Sequence, residues 1–170
     1  EFEIKDGVAI IPEGTTEIPF RAFINCEDLT TVVIPDSVTC IVNGAFFGCS
    51  SLTEIVIPNS VTSIGAGAFS HCSSLKNIVI PNSVTQIGYN AFGFCTSLTN
   101  IVIPNGVTSI GDRAFCCAPG RKLVIRNIRK LVTEKETTTV KNASSLTSVT
   151  LPESLTELGK DVFLSCEKLE

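Results

Sequence analysis

Leu75-Lys76-Asn77-Ile78-Val79-Ile80-Pro81-Asn82-Ser83-Val84-Thr85-Gln86-Ile87-Gly88-Tyr89-Asn90-Ala91-Phe92-Gly93-Phe94-Cys95 carries the period of the whole chain. Its proline belongs to a series, Pro12, Pro35, Pro58, Pro81 and Pro104, spaced 23 residues apart, and each closes an apolar segment such as Ile55-Val56-Ile57. Six residues after these prolines, and after Pro152, stand Ile18, Ile41, Ile64, Ile87, Ile110 and Leu158; eleven residues after them stand Phe23, Phe46, Phe69, Phe92, Phe115 and Phe163. Cys26, Cys49, Cys72 and Cys95 form a further column, and Leu29, Leu52, Leu75 and Leu98 another. A unit of this length cannot bury its apolar columns alone, so neighbouring units must stack on it, and the fold class is a solenoid.

Within one unit, Leu52 to Ile57 alternates apolar with polar residues and is rich in β-branched ones, which predicts a short strand ended by Pro58. Val61 to Ile64 predicts a weaker second strand, and Gly65 to Ser74 one turn of α or 3₁₀ helix. Strands of successive coils stack in parallel about 4.8 Å apart. Phe2 to Ile4 and Val8 to Ile11 flank Lys5-Asp6-Gly7, the signature of a hairpin, which is expected to cap the first coil.

After Pro104 the next proline of the series is Pro152, 48 residues on, two periods and two extra residues. The spacing predicts one degenerate coil in between, with Leu123, Ile128 and Val132 at apolar strand positions, Arg129 at the proline position, and Val140 and Ala143 replacing phenylalanine and cysteine. Seven coils are expected in a single domain over 1–170: a cap at 1–11, regular repeats at 12–118, the degenerate repeat at 119–145 and a last repeat at 146–170, truncated where another strand is due. That open end calls for a further segment or a partner to cover it. The chain has no methionine, so it is expected to be part of a longer translation product.

The formal charge of −4 argues against a nucleic-acid binder, and no apolar run reaches membrane-spanning length. The charge is lopsided. Residues 121–141 carry Arg121, Lys122, Arg126, Arg129, Lys130, Lys135 and Lys141 against two glutamates, a balance of +5 that leaves −9 elsewhere. This segment is either a solvated loop or a docking site for an anionic partner, such as a sulfated glycan or an acidic protein patch.

Eight cysteines invite a disulfide framework, yet four share one inward column, where small apolar thiols pack. Cys40, in a column with Ser63, Gln86, Ser109 and Glu157, and the vicinal Cys116-Cys117 are the places for thiol chemistry. The single histidine, His71, falls in a varied column and is expected at the surface. Neither a nucleophile pair nor four metal ligands can be assembled from these groups, so no catalytic residue, cofactor or metal site is expected. The sequon Asn142-Ala143-Ser144 is read as a chance occurrence.

Between the buried positions of each main strand an outward residue recurs: Val33, Val56, Val79, Val102 and, after the gap, Thr150. The row expresses either plain β-propensity on a crowded ladder or an apolar stripe able to grip an extended partner, flanked by Glu54, Asn77 and Asn100.

The pattern resembles the BspA-like, or Treponema-type, leucine-rich repeats, whose unit Leu-x-x-Ile-x-Ile-Pro-x-x-Val-x-x-Ile-Gly-x-x-Ala-Phe-x-x-Cys is met in full by Leu75 to Cys95. It covers about residues 8–118 and 146–169, departs at 119–145, and has Pro19 and Val42 where Gly65, Gly88, Gly111 and Gly159 hold the usual glycine. The resemblance implies a leucine-rich repeat solenoid at the cell surface or secreted by a host-associated microbe. It further implies a non-enzymatic adhesion or binding module for a host matrix protein, mucin or glycan. A structural spacer within a larger surface protein is the alternative. The shared motif is structural, so no binding residues transfer with it.

Overall fold

The computed structural model describes residues 2–98, 100–116, 124–126 and 152–162. The described residues form thirteen short strands: β1 (Ile4–Lys5), β2 (Val8–Ile10), β3 (Glu17–Ile18), β4 (Thr31–Val33), β5 (Cys40–Ile41), β6 (Glu54–Val56), β7 (Ser63–Ile64), β8 (Asn77–Val79), β9 (Gln86–Ile87), β10 (Asn100–Val102), β11 (Ser109–Ile110), β12 (Val124–Arg126) and β13 (Glu157–Leu158). Each regular repeat gives a main strand of three residues and a second strand of two, the pair that the Ile-x-Ile-Pro and Val-x-x-Ile patterns predict. The main strands stack as β1-β2-β4 and, alongside, β6-β8-β10-β12; the second strands form one six-stranded sheet from β3 to β13. Every pairing is parallel except that of β1 with β2.

The hairpin forms where expected, with Asp6 and Gly7 at φ 50° and 78°, the left-handed pair that a two-residue turn requires. It lays β2 against β4 and brings Phe2 to 5.5 Å from Phe23, so the hairpin supplies a rung beneath the first coil. Above it, Phe23, Phe46, Phe69, Phe92 and Phe115 stack with centroids 5.2 to 5.5 Å apart and planes within 7° of parallel. Nearly the full coil-to-coil rise is therefore filled by one aromatic ring per turn.

Gly65 to Ser74 forms a run of single turns, and its hydrogen bonds show why it does not grow into a longer helix. Ala68, Ser70 and Cys72 donate within the coil, to Gly65, Gly67 and Phe69, while Gly67, Phe69 and His71 donate to Tyr89, Ala91 and Gly93 of the next coil. Alternate N–H groups are thus committed to stacking, and a continuous i→i−4 ladder has no donors left to build with. Two positions per coil take left-handed φ, the series Arg21, Gly44, Gly67, Asn90, Arg113, Asp161 and the series Asn25, Gly48, His71, Phe94. Outward threonines tie the corners, each hydroxyl donating to the carbonyl of the equivalent threonine one coil earlier: Thr39 to Thr16, Thr62 to Thr39, Thr85 to Thr62 and Thr108 to Thr85, at 3.1 to 3.3 Å.

The degenerate repeat departs from expectation in two ways. β13 pairs directly with β11, and Thr156 donates to Thr108, so no coil stands between the fifth and last repeats in the second sheet. Among the described residues the extra period contributes β12, on the main-strand side. Its register also shifts by one residue. Ile125 falls opposite Ile101, whereas the expected alignment through Leu123, Ile128 and Val132 sets Arg126 in that row. Ile78 and Ile101 are buried, and a one-residue slip exchanges the two faces of a strand, so the observed register keeps an arginine position out of the core row. Arg129, Val140, Ala143, Thr150 and Phe163 lie outside the described residues.

The cysteine column packs as thiols. Cys49, Cys72 and Cys95 donate from Sγ to the carbonyls of Phe23, Phe46 and Phe69 in the preceding coil, at 3.0 to 3.1 Å. Burial, reinforced by the neighbouring Cys26, pushes the Cys49 thiol from 9.0 up to about 12. Cys72 is also held well above 9.0, first by burial and then by Cys95 and Cys49. Above pH 9.0 the unfolded chain releases both protons while the folded chain holds that of Cys49 to about 12, so the folded state loses stability across that window. The urea midpoint is expected to fall between about pH 8 and about pH 10.5, and to fall less in Cys49→Ala. Parallel pH profiles for the two proteins would contradict this.

Candidate interaction surfaces

β6 and β8 bury their central residue and expose the two beside it: Ile55 and Ile78 are buried, while Glu54, Val56, Asn77 and Val79 face solvent. Parallel register sets these outward residues in two rows. Glu54 stands opposite Asn77, which stands opposite Asn100; Val56 stands opposite Val79, which stands opposite Val102. Val33, Val56, Val79 and Val102 are 42 to 78% exposed, and Val56 and Val79 stand beside the exposed carboxylate of Glu54 and amide of Asn77. Asn59, Asn82 and Asn105 are exposed after the prolines, and Asn82 Oδ1 accepts from Gly106 N–H at 2.9 Å.

Ile10 lengthens this stripe and was not among the residues expected in it. It is 69% exposed and lies opposite Val33. Its signal is present in the sequence, since Ile10-Ile11-Pro12 repeats Val33-Ile34-Pro35. At the other end, the backbone of Arg126 aligns with Val102, which joins the basic segment to the end of the aliphatic row. The remaining basic candidates, Arg121, Lys122, Arg129 and Lys130, lie outside the described residues.

The groups singled out for chemistry are dispersed. His71 is exposed and sits between two rings, 5.3 Å from Phe47 and 4.8 Å from Phe94, nearly parallel to the latter. Cys40 is half-buried and its sulfur accepts from Ser63 Oγ at 3.2 Å. Cys116, expected beside an accessible insertion, is instead buried, as are Ser70 and Gly93 at the same place in the two preceding coils; Cys117 lies outside the described residues. Among the described residues no three His, Cys, Asp or Glu side chains gather as a metal-holding group, and no helix is long and apolar enough to cross a membrane.

A second exposed apolar surface was missed. Phe20, Ile24 and Tyr89 are exposed on the turn side of the coils, and with Phe47 they border a notch of about 260 Å³. The column of Phe20 and Tyr89 otherwise holds Asn43, Ala66, Asp112 and Lys160. The repeat therefore does not call for large apolar residues at those two places, and that departure was the available signal.

A family model for the BspA type leucine rich repeat region matches in six copies, over residues 16–134 and 120–170. No curated protein matches the chain significantly. Among solved structures, a leucine-rich repeat protein from Bacteroides ovatus is 34% identical with a TM-score of 0.70, over 95% of this chain and 38% of that one. The leucine-rich repeat protein of T. pallidum is 31% identical with a TM-score of 0.73, over 96% of this chain and 78% of that one. A leucine rich cell surface protein from Faecalibacterium prausnitzii is 26% identical with a TM-score of 0.61, over 99% of this chain and 47% of that one. The chain thus spans less than half the length of the Bacteroides and Faecalibacterium proteins.

Proposed function

The chain belongs to the BspA-type leucine-rich repeat family, and from that premise we propose that it is a non-enzymatic binding module, displayed at a cell surface or secreted, that grips a macromolecule along its main sheet. The observation that carries this reading is the exposure of Ile10, Val33, Val56, Val79 and Val102 on five main strands, with Ile10 paired in register to Val33 and Val56 to Val79 and Val102. An aliphatic row of that length beside hydrogen-bonding Glu54 and Asn77 suits an extended ligand, a protein segment or glycan chain of a host matrix protein or mucin. The surface location is supported by the Faecalibacterium protein, whose name places that protein at the cell surface. The partner class excludes nucleic acid on charge, and the basic segment from Arg121 to Lys130 serves as an auxiliary site for anionic ligands.

Binding to an array of matrix proteins, mucins and sulfated glycans, repeated at low and high salt, separates the two surfaces. Salt-resistant binding is expected from the aliphatic row; salt-sensitive binding confined to anionic ligands is expected from the basic segment. No binding at all would favour a spacer that displays another part of a longer protein.

A further inference from the structure

We propose that the notch on the turn side is a second binding site, for a peptide that inserts one large aromatic side chain and carries a carboxylate on the next residue. The notch exists because one coil lacks what its neighbours have. Phe20, Ile24 and Phe47 rise from the first two coils and Tyr89 from the fourth, while the third contributes only Ala66 and Gly67. A Cβ placed on Gly67 would stand 3.8 Å from the ring of Phe47, so glycine leaves this face of the ring open.

Size and charge select the occupant. A volume of about 260 Å³ is below the roughly 300–1,000 Å³ of drug-sized pockets and suits a single large side chain. Arg21 is the one charged residue in the lining. Its guanidinium lies 4.9 Å over the Phe20 ring, and among the described residues no carboxylate pairs with it. A cation held over an aromatic face keeps N–H donors for an incoming carboxylate. Asn43 Oδ1 already accepts from Ala66 N–H at 2.8 Å, so this residue has its amide NH₂ to offer a peptide carbonyl. Beyond Tyr89 the same column places Asp112, which disfavours an acid at that end and sets the carboxylate of the peptide toward Arg21.

The chain reports on this site by itself, because it has no tryptophan and its one tyrosine is Tyr89. The test is titration with the hexapeptide Ser-Gly-Trp-Glu-Gly-Ser, following energy transfer from Tyr89 to the peptide tryptophan. Ser-Gly-Trp-Lys-Gly-Ser, Ser-Gly-Ala-Glu-Gly-Ser and chitotriose are the comparison ligands, with binding of the last two read from Tyr89 emission. The Trp-Glu peptide is expected to bind at least about tenfold more tightly than either other peptide. Ala66→Leu, which fills the notch, is expected to abolish this binding, and Arg21→Glu to reverse the preference toward the Trp-Lys peptide. Circular dichroism matched to the parent shows that each variant is folded; should Ala66→Leu fail there, the exposed wall residue is trimmed instead, with Phe20→Ala expected to weaken binding about tenfold. Undetectable Trp-Glu binding, unchanged binding by a folded notch variant, or no discrimination between Trp-Glu and Trp-Lys overturns the proposal. Binding of chitotriose in place of the peptides also overturns it, and reassigns the notch to a sugar ring.

Discussion

Phe69→Ala is expected to remove about 3–5 kcal/mol of unfolding free energy, the range for deleting a fully buried aromatic side chain. Phe69 has no exposed surface and lies in the middle of the aromatic ladder, 5.2 Å from Phe46 and 5.4 Å from Phe92. The cavity would open between two rings that have no freedom to close on it, since Phe46 and Phe92 are themselves stacked against Phe23 and Phe115. In a solenoid the stability is a sum of nearest-neighbour terms, so one substitution weakens two coil interfaces at once. Urea unfolding of the parent and the variant measures the loss, and a difference under about 1 kcal/mol would show that the ladder contributes little to coil stacking.

Gly88→Ala is the second large effect, and here a backbone argument and a packing argument predict opposite signs. Gly88 does not have the left-handed φ that favours glycine, so chain entropy alone would make alanine stabilising by about 0.4–1 kcal/mol. The structure places Ala66 N 2.5 Å and the carbonyl carbon of Gly65 2.6 Å from where the added Cβ would sit. Both are backbone atoms of the preceding coil, pinned by Gly88 N–H donating to Ile64 O at 2.8 Å, so they cannot rotate away. The coils must separate locally, and a destabilisation of about 1–3 kcal/mol or more is expected. Gly65 and Gly111 meet the backbone of their preceding coils about as closely, so at these three positions glycine answers a close approach rather than a turn. A thermal midpoint unchanged or raised in Gly88→Ala would contradict it.

Legibility in the sequence followed how strongly each feature is repeated. Pro58 ending a strand, Phe69 in a ladder and Cys72 in an inward column were readable because stacking imposes the same demand at every coil. The left-handed positions were less readable, since Gly67 and Gly48 advertise them but Arg21 and Arg113 share the series of Gly67, and Phe94 that of Gly48, with ordinary side chains. Each donates its N–H to the following coil, Arg21 to Asn43, Arg113 to Lys160 and Phe94 to Cys116, and so adopts a conformation that its own preferences do not announce.

The degenerate repeat was misread in register because Leu123 and Ile128 together fit the apolar positions of one alignment while Ile125 fits those of another, and pairing with β10 decides between them. The candidate binding stripe was legible as a row, Val33 to Val102, because strand alternation fixes which residues face out. Its extension to Ile10 depended on β2 joining the same sheet. The notch was not legible as a site. It depends on Phe20, Ile24 and Tyr89 departing from the consensus of their columns, and a search for what repeats passes over what differs.

The measurement that bears most directly on the proposed function is a titration of the array ligand bound in high salt, with the parent chain and with the double variant Asn77→Lys plus Val79→Glu. Both positions are exposed and adjacent in the outward rows, so melting curves of the two proteins should coincide. Saturable binding by the parent that the folded double variant loses by at least about tenfold is the predicted result. Equal affinity of the two proteins would place the interaction elsewhere and contradict the assignment of the main sheet as the gripping face.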